Sequence, residues 1–182
     1  PNFLIILTDD HGYGDVSSYG ASDVRTPHID RIAKEGMLFT AMRANCTVCS
    51  PSRAALLTGR YADRVGVPGV IRANPQDSWG YFDPKVPTLA NLLGGAGYHT
   101  AIIGKWHLQM KFSGTVGQRD WTQPITEGPT ERGFDFYFGI PASMNYGVLT
   151  YLDQDRITTP PTLWTKKKPG LVKYDKDSYR IA

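Results

Sequence analysis

The stretch Phe3-Leu4-Ile5-Ile6-Leu7-Thr8-Asp9-Asp10-His11-Gly12-Tyr13-Gly14-Asp15 sets the fold class. Its first five residues are an unbroken apolar run, the pattern of a strand buried on both faces in a parallel sheet. The run stops abruptly at polar residues and glycine. In an open α/β sheet, ligands collect outside the carboxyl ends of strands, and that is where Asp9 and Asp10 would stand. Adjacent carboxylates repel each other unless a cation or protons relieve them, and hard oxygen donors suit Ca²⁺ or Mg²⁺. The same pair reads equally well as the start of a solvated turn.

Outward from this run, Thr26 to Gly36 reads as a helix with Thr26 as N-cap, Pro27 in the first position and Gly36 as the stop. His28 is a surface or capping residue. Met37 to Ala41 reads as a second strand. The next segment, Cys49-Ser50-Pro51-Ser52-Arg53-Ala54-Ala55-Leu56-Leu57-Thr58-Gly59-Arg60, is a helix with Pro51 at its first position, an Ala/Leu interior and Gly59 at its end. Strand, helix, strand, helix is the signature of an α/β layer architecture. Cys49 then sits at a helix N-terminus, where free N–H groups and the helix dipole favour an anion, with Arg53 in reach to add a fixed charge.

Residues 61–85 are rich in Gly, Pro, Asn and Asp, with Trp79, Tyr81 and Phe82 interleaved, and read as a long structured loop. Such a loop is a place for substrate contacts, though each aromatic serves as well to pin it to a core. A helix follows from Pro87 to Leu93, with Thr88 near its start. Ala101 to Ile103 is a short buried strand, so Lys105 and His107 emerge at its carboxyl end. His99 precedes the strand and reads as structural. Arg132 to Gly139 contains an aromatic strand. From Asp153 to Ala182 the chain reads as polar connection, its Lys166-Lys167-Lys168 run being a solvated face.

Composition narrows the classes. The chain has 182 residues with 41% hydrophobic and 20% charged, which fits one globular core or part of a larger domain. A net charge of +3 is too small and scattered to indicate nucleic acid, yet does not repel an anionic substrate. No apolar run reaches membrane-spanning length. No signal peptide is visible, and Pro1-Asn2-Phe3 reads as a chain trimmed to its first strand. The two cysteines, Cys46 and Cys49, form a Cys-x-x-Cys. A zinc site would need further Cys or His nearby, and a redox pair would leave Arg53 and Thr58-Gly59-Arg60 unexplained. Cys46 reads as a small buried side chain.

Two motifs carry a resemblance. Cys49-x-Pro51-Ser52-Arg53 with Leu57-Thr58-Gly59-Arg60 is similar to the sulfatase signature in which the Cys becomes formylglycine. Gly97-Tyr98-His99-Thr100 followed by Gly104-Lys105-Trp106-His107 resembles the family's second signature. The loop Gly139 to Gly147 resembles a third, weaker segment, with Ser143 approaching sulfate and Asn145 where an acid often occurs. The resemblance is clearest over residues 2–147 and covers the amino-terminal portion of a sulfatase catalytic domain, here residues 1–182. It implies an alkaline-phosphatase-like α/β fold, a mainly parallel sheet flanked by helices, incomplete in this chain. The family's later Asp, Asn or Gln metal ligands and its later His and Lys find no counterpart after His107.

The resemblance also implies the chemistry. A sulfate ester, on a carbohydrate or aryl group, would be hydrolysed by a formylglycine hydrate derived from Cys49. Asp9, Asp10 and Cys49 would hold Ca²⁺, or Mg²⁺. Arg53 would steady the diol, Lys105 and Ser143 would contact the sulfate, and His107 would orient or deprotonate the second hydroxyl. The partners implied are a sulfated small molecule or glycan and a formylglycine-generating or equivalent maturation enzyme. The compartment implied is periplasmic, secreted or lysosomal. Two alternatives stand beside this: a phosphate or phosphonate ester hydrolase of the same superfamily, and a noncatalytic truncated domain that holds an anion.

Overall fold

The computed structural model describes residues 1–72, 78–144, 147–166 and 177–180, with only the backbone for 164–166 and 177–180. The chain divides into two units, Pro1–Ala44 and Asn45–Ala182. Asn145, Lys167 and Lys168, singled out in the sequence, lie outside the described residues, as does the side chain of Lys166.

The first unit holds one α-helix, α1 (Pro27–Glu35), and short 3-10 turns at Tyr13–Asp15 and Ser17–Tyr19. Thr26 occupies the N-cap, as expected, but its hydroxyl does not bond the helix N–H groups. It accepts the Ser17 N–H (3.0 Å) and donates to Asp30 Oδ1 (3.0 Å), which also accepts the Ser18 N–H (2.9 Å). This polar knot ties the second 3-10 turn to the helix start.

The expected strands Phe3–Leu7 and Met37–Ala41 are not formed. Leu4 is 85% and Met37 75% exposed. The physical reason lies in pairing. A strand needs a neighbour to receive its N–H and C=O groups, and the first unit contains no strand among its described residues. An apolar run specifies what a strand would bury, and it cannot supply the ladder.

Among its described residues the second unit carries α2 (Cys49–Thr58), α3 (Leu89–Gly95) and nine strands: β1 (Ala101–Lys105), β2 (Gly114–Thr115), β3 (Gln118–Arg119), β4 (Phe136–Ile140), β5 (Val148–Leu149), β6 (Leu152–Asp153), β7 (Arg156–Ile157), β8 (Leu163–Lys166) and β9 (Asp177–Arg180). The main sheet has the order β1-β4-β6-β7. β1 and β4 pair in parallel, Ala101 opposite Phe136 through Lys105 opposite Ile140, while β6 and β7 add antiparallel. The segment after Asp153, expected as polar connection, thus supplies a strand of the main sheet. Its turn Gln154-Asp155 makes an antiparallel hairpin the short route back, and Gln154 Oε1 accepts the Tyr137 N–H (2.8 Å).

Thr88 caps α3 by accepting the Asn91 N–H, with Asn91 Oδ1 accepting the Thr88 N–H in return. The Thr88 hydroxyl donates to the Arg132 carbonyl (2.6 Å). Arg132 is almost fully buried; its guanidinium donates to the Phe82 and Asp83 carbonyls and lies 4.6 Å from the Phe82 ring centroid. The core gathers Ala54 of α2, Val65, Phe82, Trp106, Tyr137 and Leu152. No helix among the described residues is long and apolar enough to cross a membrane.

Candidate functional site

α2 begins at Cys49, two residues earlier than Pro51 suggests, so Pro51 is the third helical residue. Its missing N–H still falls among the first-turn groups that have no helical partner. Val48, extended at φ −128° and ψ 158°, is the N-cap, and Gly59 ends the helix in the left-handed conformation. The Ser52 hydroxyl donates to the Cys46 carbonyl (2.7 Å), which fixes the approach to the helix. Both cysteines are free thiols and half-buried, so Cys46 is less enclosed than its size suggests.

Cys49 and Arg53 are separated by one turn and share a face of α2. From there Arg53 Nη1 donates to the Lys105 carbonyl (2.6 Å) at the end of β1. The chain beyond β1 keeps following β4: the Trp106 N–H bonds the Ile140 carbonyl (3.1 Å) and the His107 N–H bonds the Pro141 carbonyl (2.9 Å). This holds His107 in a left-handed conformation, φ 54°, with its ring 1% exposed. Trp106, equally buried, donates from its indole to the Gln109 carbonyl (2.8 Å). Ser143 follows Pro141 by two residues and is half-buried.

Gly104 explains how Lys105 is delivered. It sits at φ +117° inside β1, and a Cβ on its register partner Gly139 would lie 1.8 Å from the Gly104 carbonyl oxygen. Glycine at 139 lets the two backbones approach this closely, while glycine at 104, where a Cβ would meet open space, supplies the positive φ. Tyr137, beside this junction, donates to the Ile140 carbonyl (2.9 Å). Burial pushes its phenol well above the ordinary value, with the positive charge of Arg53 pulling the other way. It stays protonated and a donor.

The structure thus brings the Arg53 guanidinium of α2 to the Lys105 backbone at the end of β1, with His107 following in the chain. Asp9 and Asp10 belong to the first unit, where both are exposed in a bend that follows the apolar run. Beyond them the chain closes a small turn, with Asp15 Oδ2 accepting the Gly12 N–H (2.7 Å). Among the described residues, no group of three or more His, Cys, Asp or Glu comes together as a metal site.

Sequence reasoning missed Ser50 and Arg72. Ser50 is fully buried, and its hydroxyl accepts the Ile71 N–H (3.0 Å). The expected loop is a zipped ribbon over its described part, with Tyr81 N–H to Gly66 O (2.7 Å), Gly69 N–H to Trp79 O (3.1 Å) and Trp79 N–H to Val70 O (3.1 Å). A Cβ at Gly80 would lie 2.3 Å from the Gly66 carbonyl oxygen. That glycine pair, fourteen positions apart (80 minus 66), was the available signal. The ribbon brings Ile71 and Arg72 to a small cleft whose other walls include His107, Leu108, Met110 and Pro141.

Residues 1–158 match the profile of the sulfatase family. The chain belongs to the sulfatase family. It is 42% identical over 145 residues to N-acetylgalactosamine-6-O-sulfatase of Bacteroides thetaiotaomicron, covering 80% of this chain and 27% of that protein. It is 45% identical over 147 residues to human arylsulfatase G, covering 81% and 25%. A solved structure from a Bacteroides thetaiotaomicron locus for metabolism of multiple glycosaminoglycans is 39% identical with a TM-score of 0.70, over 82% of this chain and 30% of that one. The structure of Ps i-CgsB in complex with k-i-k-neocarrahexaose is 33% identical with a TM-score of 0.60, over 79% and 28%. The chain thus spans about a quarter of the length of the curated relatives it matches. These sulfatases share the alkaline-phosphatase-like α/β fold, and the described residues form a mixed α/β portion of it with a partial sheet.

Proposed function

We propose that this sulfatase-family chain serves the hydrolysis of a sulfate ester carried by a carbohydrate or aryl alcohol, with Cys49 as the precursor of the nucleophile. The observation that supports this most directly is the Arg53–Lys105 contact. It draws the helix start that bears Cys49 toward the strand end that bears Lys105 and His107. Converted to formylglycine, Cys49 would supply an aldehyde hydrate, one hydroxyl of which would attack sulfur while the other, once deprotonated, would expel sulfate as the aldehyde re-forms.

The chain's own residues take separate tasks. The N-terminal N–H groups of α2 and the Arg53 guanidinium hold negative charge at the nucleophile. Lys105 neutralises nonbridging sulfate oxygens, with Ser143 as a further donor. His107, fixed by its backbone bond to Pro141, orients the second hydroxyl and takes its proton. By resemblance to the family, Asp9, Asp10 and the converted Cys49 would each supply hard oxygen donors to a divalent cation, out of the roughly six to eight oxygens that Ca²⁺ takes. When bound, such a cation offsets charge on the substrate oxygens. Residue conversion requires a formylglycine-generating or equivalent enzyme and favours a periplasmic, secreted or lysosomal setting.

The carbohydrate or aryl assignment draws on relatives named for N-acetylgalactosamine sulfate and aryl sulfate, and on a solved relative in complex with a neocarrahexaose. Peptide mass spectrometry tests the centre of the proposal. Protein made in a host that installs formylglycine should yield the Cys49 peptide as an aldehyde or its hydrate. An unmodified thiol from such a host would sink the reading.

A further inference from the structure

Cys46 has no task in the chemistry above, although it stands three residues before Cys49 and the chain has no other cysteine. Both are free thiols and half-buried. Three residues of extended chain span about 10 Å, too far for a disulfide, which needs Cα atoms within about 7 Å of each other. The segment is not extended. It bends at Thr47 and Val48, and α2 begins at Cys49 itself. The Ser52 hydroxyl, one turn beyond Cys49, donates to the Cys46 carbonyl (2.7 Å), and the Ser52 N–H bonds the Val48 carbonyl (3.3 Å). Cys46 is thereby folded back onto the turn of helix that bears Cys49.

The tie to Ser52 uses the Cys46 main chain, so a bond between the two sulfurs does not have to break it. The contacts that fold Cys46 back all lie within residues 46–52. They need no distant partner, unlike the Arg53 bond to the Lys105 carbonyl. The pair can therefore close as soon as this stretch of chain exists.

Resting on the formylglycine reading of Cys49, we propose that Cys46 and Cys49 form a reversible disulfide that withholds Cys49 from conversion until it is reduced. The co-reactant is a small-molecule disulfide such as oxidised glutathione. One cysteine sulfur, having lost its proton, attacks a sulfur of that disulfide and expels one small thiol; the other cysteine sulfur then attacks the mixed disulfide and expels the second. Two protein thiols and one small disulfide become one protein disulfide and two small thiols, with two electrons and two protons passing to the small molecule. A dithiol reductant reverses the exchange. In a periplasmic or secreted setting, where thiols pair, only chains whose pair is open present Cys49 to the modifying enzyme.

Trypsin cleaves after Arg43 and Arg53, so both cysteines leave on one peptide, residues 44–53. The unconverted chain is equilibrated with oxidised and reduced glutathione, quenched, alkylated, digested and weighed. The peptide should be lighter by two hydrogens and closed to alkylation, in about tenfold excess over glutathione adducts, because a second thiol on the same chain outcompetes one in solution. Glutathione adducts without the closed peptide, or cysteines joined between two chains, overturn the proposal. A second arm makes the full chain and Cys46→Ser by cell-free synthesis with a formylglycine-generating enzyme present, circular dichroism confirming that the variant folds. The glutathione ratio is set where the wild-type pair is mostly closed and Cys49 of Cys46→Ser is still mostly a thiol. Formylglycine at position 49 should fall about tenfold in the wild type relative to a reducing ratio, following the closed fraction, and hold in Cys46→Ser. Equal yields from the two chains overturn the gate. No conversion of either chain at the reducing ratio overturns the formylglycine reading and the gate with it, and the first arm then decides the disulfide alone.

Discussion

Phe3–Leu7 and Ala101–Lys105 are both apolar runs that lead directly into charged residues, yet only the second becomes a strand. Burial does not separate them cleanly. Ile103 in β1 is 75% exposed, much like Ile6 at 74%. What separates them is hydrogen bonding. β1 has a parallel partner with five residues in register, and its entrance is fixed by Asp135 Oδ2, which accepts both the Thr100 N–H (2.7 Å) and the Thr100 hydroxyl (2.9 Å). The Phe3–Leu7 run forms no strand, and its unit holds none among the described residues. A run of β-formers states a preference, and the ladder decides whether it is realised.

The largest way to break this contrast is Gly139→Ala, which should loosen β1 from β4. With a Cβ driven into the Gly104 carbonyl, the pair must separate, at a cost of about 3 kcal/mol in stability by chemical denaturation. A change within about 0.5 kcal/mol would show that the strand does not depend on this close approach. Arg53→Lys keeps the charge and loses the reach to the Lys105 carbonyl, so it should cost about 1 kcal/mol by the same measurement. An unchanged midpoint would mean that the carbonyl is equally well satisfied without the guanidinium.

Smaller and dependent on pH is Asp135→Asn. Hydrogen bonds from the Thr100 backbone and hydroxyl, with His99 nearby, hold the Asp135 carboxyl below its ordinary range. Such a group stabilises the fold above its unfolded pKa, and the contribution disappears as pH falls through the folded one. The wild type should melt above the variant at neutral pH and converge with it in strong acid. A gap that widens on acidification would contradict the assignment. Least of all should Leu4→Ser matter, since Leu4 is exposed: less than about 0.5 kcal/mol. A larger loss would show that the Leu4 side chain is covered in solution.

Much of the second unit could be read from local chemistry. Thr88 with Asn91, the Pro51-to-Gly59 helix and the Ile102-Ile103 strand all carry their signals within a few residues. That Arg53 meets the end of β1 followed from placing one at a helix start and the other at a strand end. The rest depended on distant partners. Nothing beside Phe3 announces that a ladder is absent, and nothing beside Ser50 announces Ile71, twenty-one residues later. The ribbon that pairs residues 65–70 with 79–83 hid for the same reason, because its pairing is written in glycines far apart and in backbone groups that carry no sequence signal. Leu152 and Asp153 fell to the same blindness, since a two-residue strand is too short to show a period.

The bond from Arg53 to the Lys105 carbonyl also orders events in time. It closes a separation of fifty-two residues, so it forms only after β1 has been synthesised and has found β4. Before that, α2 is a ten-residue helix with little to pack against, below the length at which isolated helices persist in water. During chain growth Cys49 therefore passes through an interval as pliable, reachable backbone, and the closing of β1 ends it. If Cys49 is converted as proposed, a modifying enzyme that needs an extended chain would act within that interval.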